Sequence, residues 1–187
     1  MNTNASFLSK MAKSFGLLAL ALLIASSAIA QKQRSGKSPM DVARLSQNGV
    51  YTKITYSQPS KKGRDIFGGL VPYGQVWRTG ANETTELSTT GDITIGGNKL
   101  GKGTYAVYAI PGANEWTIVL NSKVGTWGHF QYDESQDLFR IKVKPNKRAS
   151  GEELEKFFIW FDAPEGGSPS IRMAWDDTEV AIPISHG

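Results

Sequence analysis

The sequence has no cysteine. That excludes a disulfide scaffold, a thiol nucleophile, an iron–sulfur site, a cysteine-ligated zinc and a thiol-linked lipid anchor. Histidine occurs only twice in 187 residues, at His129 and His186, so one chain cannot build a multi-histidine metal site. Charge is nearly balanced: 21 Lys and Arg against 17 Asp and Glu, a formal net of +4. No basic stripe interleaved with aromatics runs along the chain, which argues against a nucleic-acid partner. No Gly-x-Ser-x-Gly elbow is present, and neither Gly96-Gly97 nor Gly101-x-Gly103 is followed by a phosphate-binding pattern. Nothing in the residue pattern calls for a cofactor or a metal. The acidic run Asp133-Glu134-Ser135-Gln136-Asp137 lacks the glycine and the closing glutamate of a calcium loop, and reads as a surface turn.

Long hydrophobic runs are also scarce, and the one at the N-terminus reads as an address. Lys10 and Lys13 precede an apolar run from Phe15 to Ile24, and small residues end at Ala28-Ile29-Ala30. This is the order of a secretory signal peptide, with cleavage expected after Ala30. The uncharged stretch Ser14–Gln31 is just long enough to leave an uncleaved anchor open as the alternative. Cleavage removes two lysines and lowers the net charge to about +2, too little for strong attraction to a membrane surface. The expected location is the periplasm or the medium, without stable membrane insertion. Residues 31–38 are polar and basic and read as a flexible leader. A chain of about 157 residues then remains, enough to bury roughly 70% of its unfolded surface in one core.

From Pro39 on, β-branched and aromatic runs alternate with Gly, Pro, Asn and Asp. In Val50–Tyr56, the residues Val50, Thr52, Ile54 and Tyr56 share one face, and Tyr51, Lys53 and Thr55 the other. Further strands are expected at 85–89, 92–95, 105–110, 116–120, 138–143, 157–161, 170–175 and 179–184. The spacing predicts an all-β domain over 39–187: a single antiparallel, jelly-roll-like β-sandwich, with no strand order fixed by it. Ser150–Glu155 resembles a helix start, but the aromatic run that follows favours a strand. His186, next to the C-terminus, is expected to fray.

Residues 59–84 break the rhythm. A loop of this length is uncommon, and it carries Ile66, Phe67, Leu70, Val71, Tyr73, Val76 and Trp77. That much apolar surface predicts an ordered loop packed over the core. Within it, polar groups able to converge on a ligand cluster at Arg78, Thr79, Asn82 and Glu83. Arg78 presents a planar donor fork suited to carboxylate or phosphate. Trp77, Tyr73 or Trp127 would stack on a sugar face or fill the core. The competing reading is structural: Arg78 pairs with Glu83 or Glu86, Asn82 caps a turn and Trp77 is buried. His129, flanked by aromatics, is a candidate general base.

The stretch Lys62 to Arg64, Ile66 to Gly74 and Val76 to Glu83 resembles the signature of a bacterial family filed as domain of unknown function 2911 (DUF2911). Leu100 to Tyr105, Ile110-Pro111, Trp116 and Asn121 fit the same pattern. The resemblance spans about Ser38 to Ile184. It implies an exported bacterial protein and carries over no established activity or catalytic residues. The leading expectation is a small-ligand or glycan-binding domain that uses Trp77, Arg78, Thr79, Asn82, Glu83, Tyr73 and Trp127. The alternatives are an acid/base enzyme, hydrolase- or isomerase-like, using Glu83 and Arg78 with His129, and a structural envelope protein.

Overall fold

The structure is a computed structural model, and it describes residues 38–165 and 167–186. The expected signal peptide over 1–30, and all of the expected leader except Ser38, lie outside the described residues.

Among the described residues the chain forms twelve strands and one 3-10 turn, Glu134–Gln136. The strands are β1 Met40–Gln47, β2 Val50–Ser57, β3 Thr85–Thr89, β4 Ile93–Ile95, β5 Asn98–Leu100 and β6 Gly103–Ile110. They continue with β7 Trp116–Asn121, β8 Asp137–Val143, β9 Asn146–Lys147, β10 Leu154–Asp162, β11 Ser170–Asp176 and β12 Thr178–His186. One antiparallel sheet runs β1-β2-β3-β6-β7-β8. The other runs β10-β11-β12-β4-β5, with β9 added against β12. This is the expected β-sandwich. Its strand order is not that of a jelly roll, in which successive strands alternate between sheets. Here successive strands stay together as meanders, because most connections are short turns. The β4–β5 hairpin is the excursion that carries the chain across.

Alternation builds the core. On β2, Thr52, Ile54 and Tyr56 are buried while Tyr51 and Lys53 face solvent. β7 and β11 are buried along most of their length, as central strands should be. One hydrophobic cluster joins Ile54, Leu87, Ile118 and Trp116 of the first sheet to Phe157, Met173, Trp175 and Ile182 of the second. Leu154–Asp162 is strand throughout, so the aromatic run outweighs the helix-like start before it.

His186 does not fray. It is 7% exposed. Its Nε2 lies 2.9 Å from Thr52 Oγ1 and its Nδ1 lies 3.2 Å from Gln47 Oε1. Backbone pairing of His186 with Ile93 closes β12 onto β4, so the last residue described is held by both sheets.

Candidate functional site

The long loop is ordered, as its apolar content required. Lys61 N–H donates to Glu155 O, Ser60 pairs with Lys156, and Phe157 N–H donates to Pro59 O, which lays residues 59–61 along β10. A tight turn follows, with Lys62 and Gly63 both left-handed. Ile66 is buried, and its carbonyl accepts from Val71 N–H at 2.9 Å, closing a small ring of chain. Trp77 then exchanges two backbone hydrogen bonds with Ala109, at 2.7 and 2.9 Å. It takes the place beside β6 that β3 vacates beyond Thr85.

Trp77 is 7% exposed and belongs to the core. Its ring stacks on Trp175 of the other sheet, at 6.2 Å and 21°, and meets Phe67, Trp116 and Phe157 edge-on. Its Nε1–H donates to Gly80 O at 3.1 Å. The ring therefore has no free face to offer a sugar.

A sharp turn follows, with Thr79, Gly80 and Asn82 all at positive φ. Gly80 is needed there: a Cβ would sit 2.9 Å from Ser57 O. Asn82 Nδ2 donates to Ser38 O at 3.1 Å and to Ser57 Oγ at 3.2 Å. Thr79 is fully buried, its hydroxyl bonded to Trp77 O, so it faces inward. The loop carrying His129 is laced to this turn. Gly128 N–H donates to Asn82 O at 3.0 Å, Thr84 Oγ1–H to Gly128 O at 2.6 Å, and Thr84 N–H to Thr126 O at 3.0 Å.

These segments enclose a cleft of about 840 Å³. Its lining draws on residues tethered to both sheets: Ser60, Lys62 and Arg64 from the segment fastened to β10, Arg78, Asn82 and His129 from the turn and loop beside β6, and Trp77 and Trp175 from the core. Leu70, Val71, Pro72 and Val76 supply apolar wall. Among the described residues three formal positive charges line it, and no aspartate or glutamate does.

Arg78 stands apart from the other arginines. Its Nε is buried without a hydrogen-bond partner, the single such side-chain atom among the described residues. Among the described residues no carboxylate lies within ion-pair distance of it, whereas Arg140, Arg148 and Arg172 each hold at least one. Burial alone pulls its pKa below the ordinary guanidinium value. The pairing with Glu83 or Glu86 of the competing structural reading is therefore not made. Glu86 accepts the Gly125 N–H instead, at 2.7 Å.

Glu83 faces a different cavity, about 270 Å³, shared with Glu86, Thr84 and Thr126. The structure thus brings Arg78, Asn82 and His129 to one cleft and leaves Glu83 and Thr79 out of it. Tyr73 and Trp127 are exposed but line neither cavity. His129 stacks on Phe130 at 4.7 Å. The acidic turn is structural: Asp133 caps the 3-10 turn, and Asp137 binds Tyr132, Arg140 and Asn121. Sequence reading passed over Lys62 and Arg64 as site residues. The signal was the run Lys61-Lys62-Gly63-Arg64, three cations around a glycine turn.

A two-sheet sandwich with a cationic, carboxylate-free cleft over its aromatic core is the class that fold and site define. Residues 38–184 match the family model described as Protein of unknown function (DUF2911), and the chain belongs to that family. No curated protein and no solved structure matches it.

Proposed function

We propose that this is an exported binding protein whose cleft takes a small organic anion on Arg78. One observation carries the reading: a guanidinium with a buried, unpartnered Nε lines a cleft that holds no carboxylate. Leaving such a donor unsatisfied costs about 1–3 kcal/mol. An anion accepting from the guanidinium would make charge-assisted bonds to a cation that has no carboxylate partner among the described residues. The cleft volume lies in the range that small-molecule sites occupy, and its lining has their mixture of apolar wall and few polar groups. His129 would add a ring donor. Asn82 has a positioning role, since both its amide hydrogens are already engaged.

Geometry favours this over an acid/base enzyme and over a glycan-binding site. An acid/base enzyme built on Glu83 and Arg78 needs both groups at one substrate, and they line separate cavities. A neutral glycan needs an open aromatic face in the cleft, and Trp77 is buried while Tyr73 and Trp127 lie outside it. Export rests on the N-terminal leader pattern.

The test is calorimetric titration of the full chain with inorganic phosphate, sulfate and acetate, repeated with Arg78→Gln. The expected result is saturable binding that falls at least about tenfold in the variant while its melting temperature holds. Equal binding by both proteins, or no binding of any anion, overturns the proposal. Export is checked by sequencing the N-terminus of the secreted form, which should begin at Gln31.

A further inference from the structure

We infer that the ligand carries two anionic groups, held apart on a partly apolar body that spans the cleft. This rests on the anion reading of Arg78 and adds a second cationic station, Lys62 with Arg64.

The two stations stand on different supports. Arg78 rides the turn fastened to β6 and to the 126–128 segment. Lys62 and Arg64 ride the turn fastened to β10. Trp77, on the first support, stacks on Trp175 of β11, the neighbour of β10, and both residues line the cleft. Two cationic stations held on separate parts of a rigid frame keep their spacing.

The outer station is built as well as placed. Arg64 Nε–H donates to Lys61 O at 2.9 Å, and an Nη2–H donates to Ser60 O at 2.6 Å. Those bonds hold the guanidinium plane and leave Nη1 uncommitted. The Lys62 N–H donates to Glu155 Oε1, which fixes the backbone, while its ammonium makes no ion pair. By contrast the adjacent Lys61 ammonium is engaged by Asp176. Of three neighbouring cations, the two that line the cleft are the two left without a carboxylate.

Size and wall chemistry point the same way. A cleft of about 840 Å³ far exceeds a single inorganic anion, whose volume is of the order of a few water molecules, each roughly 30 Å³. Leu70, Val71 and Val76 offer apolar surface to the body that joins the two charges. A monoanion would satisfy Arg78 and leave the outer charges to solvent. A dianion of matching length satisfies both, because the second contact follows the first at high effective concentration.

The experiment is titration of the full chain with two probe series: acetate against α,ω-dicarboxylates from succinate to suberate, and methylphosphonate against the corresponding alkane bisphosphonates. The two series distinguish carboxylate from phosphate chemistry. The proteins are wild type, Lys62→Glu, the pair Lys62→Gln with Arg64→Gln, and Arg78→Gln. At one spacer length a dianion should bind about tenfold or more tighter than its monoanion, with a steeper salt dependence. The outer variants should erase that advantage, lowering dianion affinity about tenfold or more and monoanion affinity by clearly less. Lys62→Glu guards against misfolding, since that side chain is exposed and free of internal bonds. Monoanions that bind through Arg78 as tightly as every dianion would overturn the two-station inference and leave the anion reading standing. Failure of all probes to bind wild type would overturn both.

Discussion

The Gly128 amide donates to the Asn82 carbonyl at 3.0 Å, and this bond ties the loop carrying His129 to the turn carrying Arg78. Both residues have left-handed backbone, Gly128 at φ 72° and Asn82 at φ 58°. A Cβ at position 128 would fall 3.0 Å from the Phe130 ring and 3.7 Å from Arg78 Nη1. Glycine there lets the loop pass beside the guanidinium without covering it.

Asn82 is the hinge of that arrangement, and its replacements separate two effects. Asn82→Ala loses two side-chain hydrogen bonds and leaves a β-carbon in a left-handed conformation. Each bond contributes about 1 kcal/mol and the backbone strain roughly another. The expected loss is about 2–3 kcal/mol in urea unfolding. Asn82→Gly removes the same bonds without the strain, so it should be less damaging by about 1 kcal/mol. Equal losses would mean that the left-handed backbone plays no part.

Much of the fold was legible from alternation alone. β3 falls at Thr85–Thr89 as expected, and eight other strands agree within a few residues. β1 was missed because it is a mostly exposed edge strand: in Met40–Gln47 only Ala43 is buried, so no apolar period marks it. β5 is three residues long and reads as part of a glycine turn. At the site, residue types were legible and directions were not. Arg78 and Glu83 are five apart, but Thr79, Gly80 and Asn82 turn the chain between them and send the two charges to different cavities. His186 sits where ends fray, yet tertiary burial overrides that tendency.

Arg78 should trade stability for binding. Its buried Nε has no internal partner, so the folded protein gains nothing from that donor. Arg78→Met keeps the packing of the stem and removes the unsatisfied group. Thermal denaturation should show a melting temperature equal to or above wild type, a gain of about 1 kcal/mol or less. Anion binding should be lost in the same variant. A clear drop in stability would instead reveal a partner for the guanidinium and favour the structural reading.

Trp77 should behave in the opposite way. It is packed by four aromatic rings and bonded through Nε1. Trp77→Ala should cost about 3–5 kcal/mol, because the hole opens in the aromatic core shared by both sheets. Trp77→Phe should recover most of that and leave Gly80 O without its donor. Anion binding by Trp77→Phe should stay close to wild type, since the buried ring is a floor and makes no polar contact with the ligand. Urea unfolding and calorimetry on the same pair of variants check both halves.

His186 makes stability depend on pH, and the sign follows from its burial. Burial lowers its pKa below the ordinary value of 6.5, because the folded protein disfavours the imidazolium. Below pH 6.5 the unfolded chain takes up this proton before the folded chain does, so acid favours unfolding. The contribution is complete above about pH 6.5 and declines as the pH falls from there through the folded-state pKa. What is lost is the junction itself, the ring wedged between Thr52 and Gln47 where β12 meets the β1–β2 hairpin. Other groups titrate in acid too, so the informative quantity is a difference. Wild type should lose more stability than His186→Gln between pH 8 and pH 5, each measured by urea unfolding at both pH values. Parallel losses in the two proteins would remove His186 as the source, and the acid sensitivity would then belong to carboxylates such as Asp177, whose pKa the Lys147 ammonium holds down.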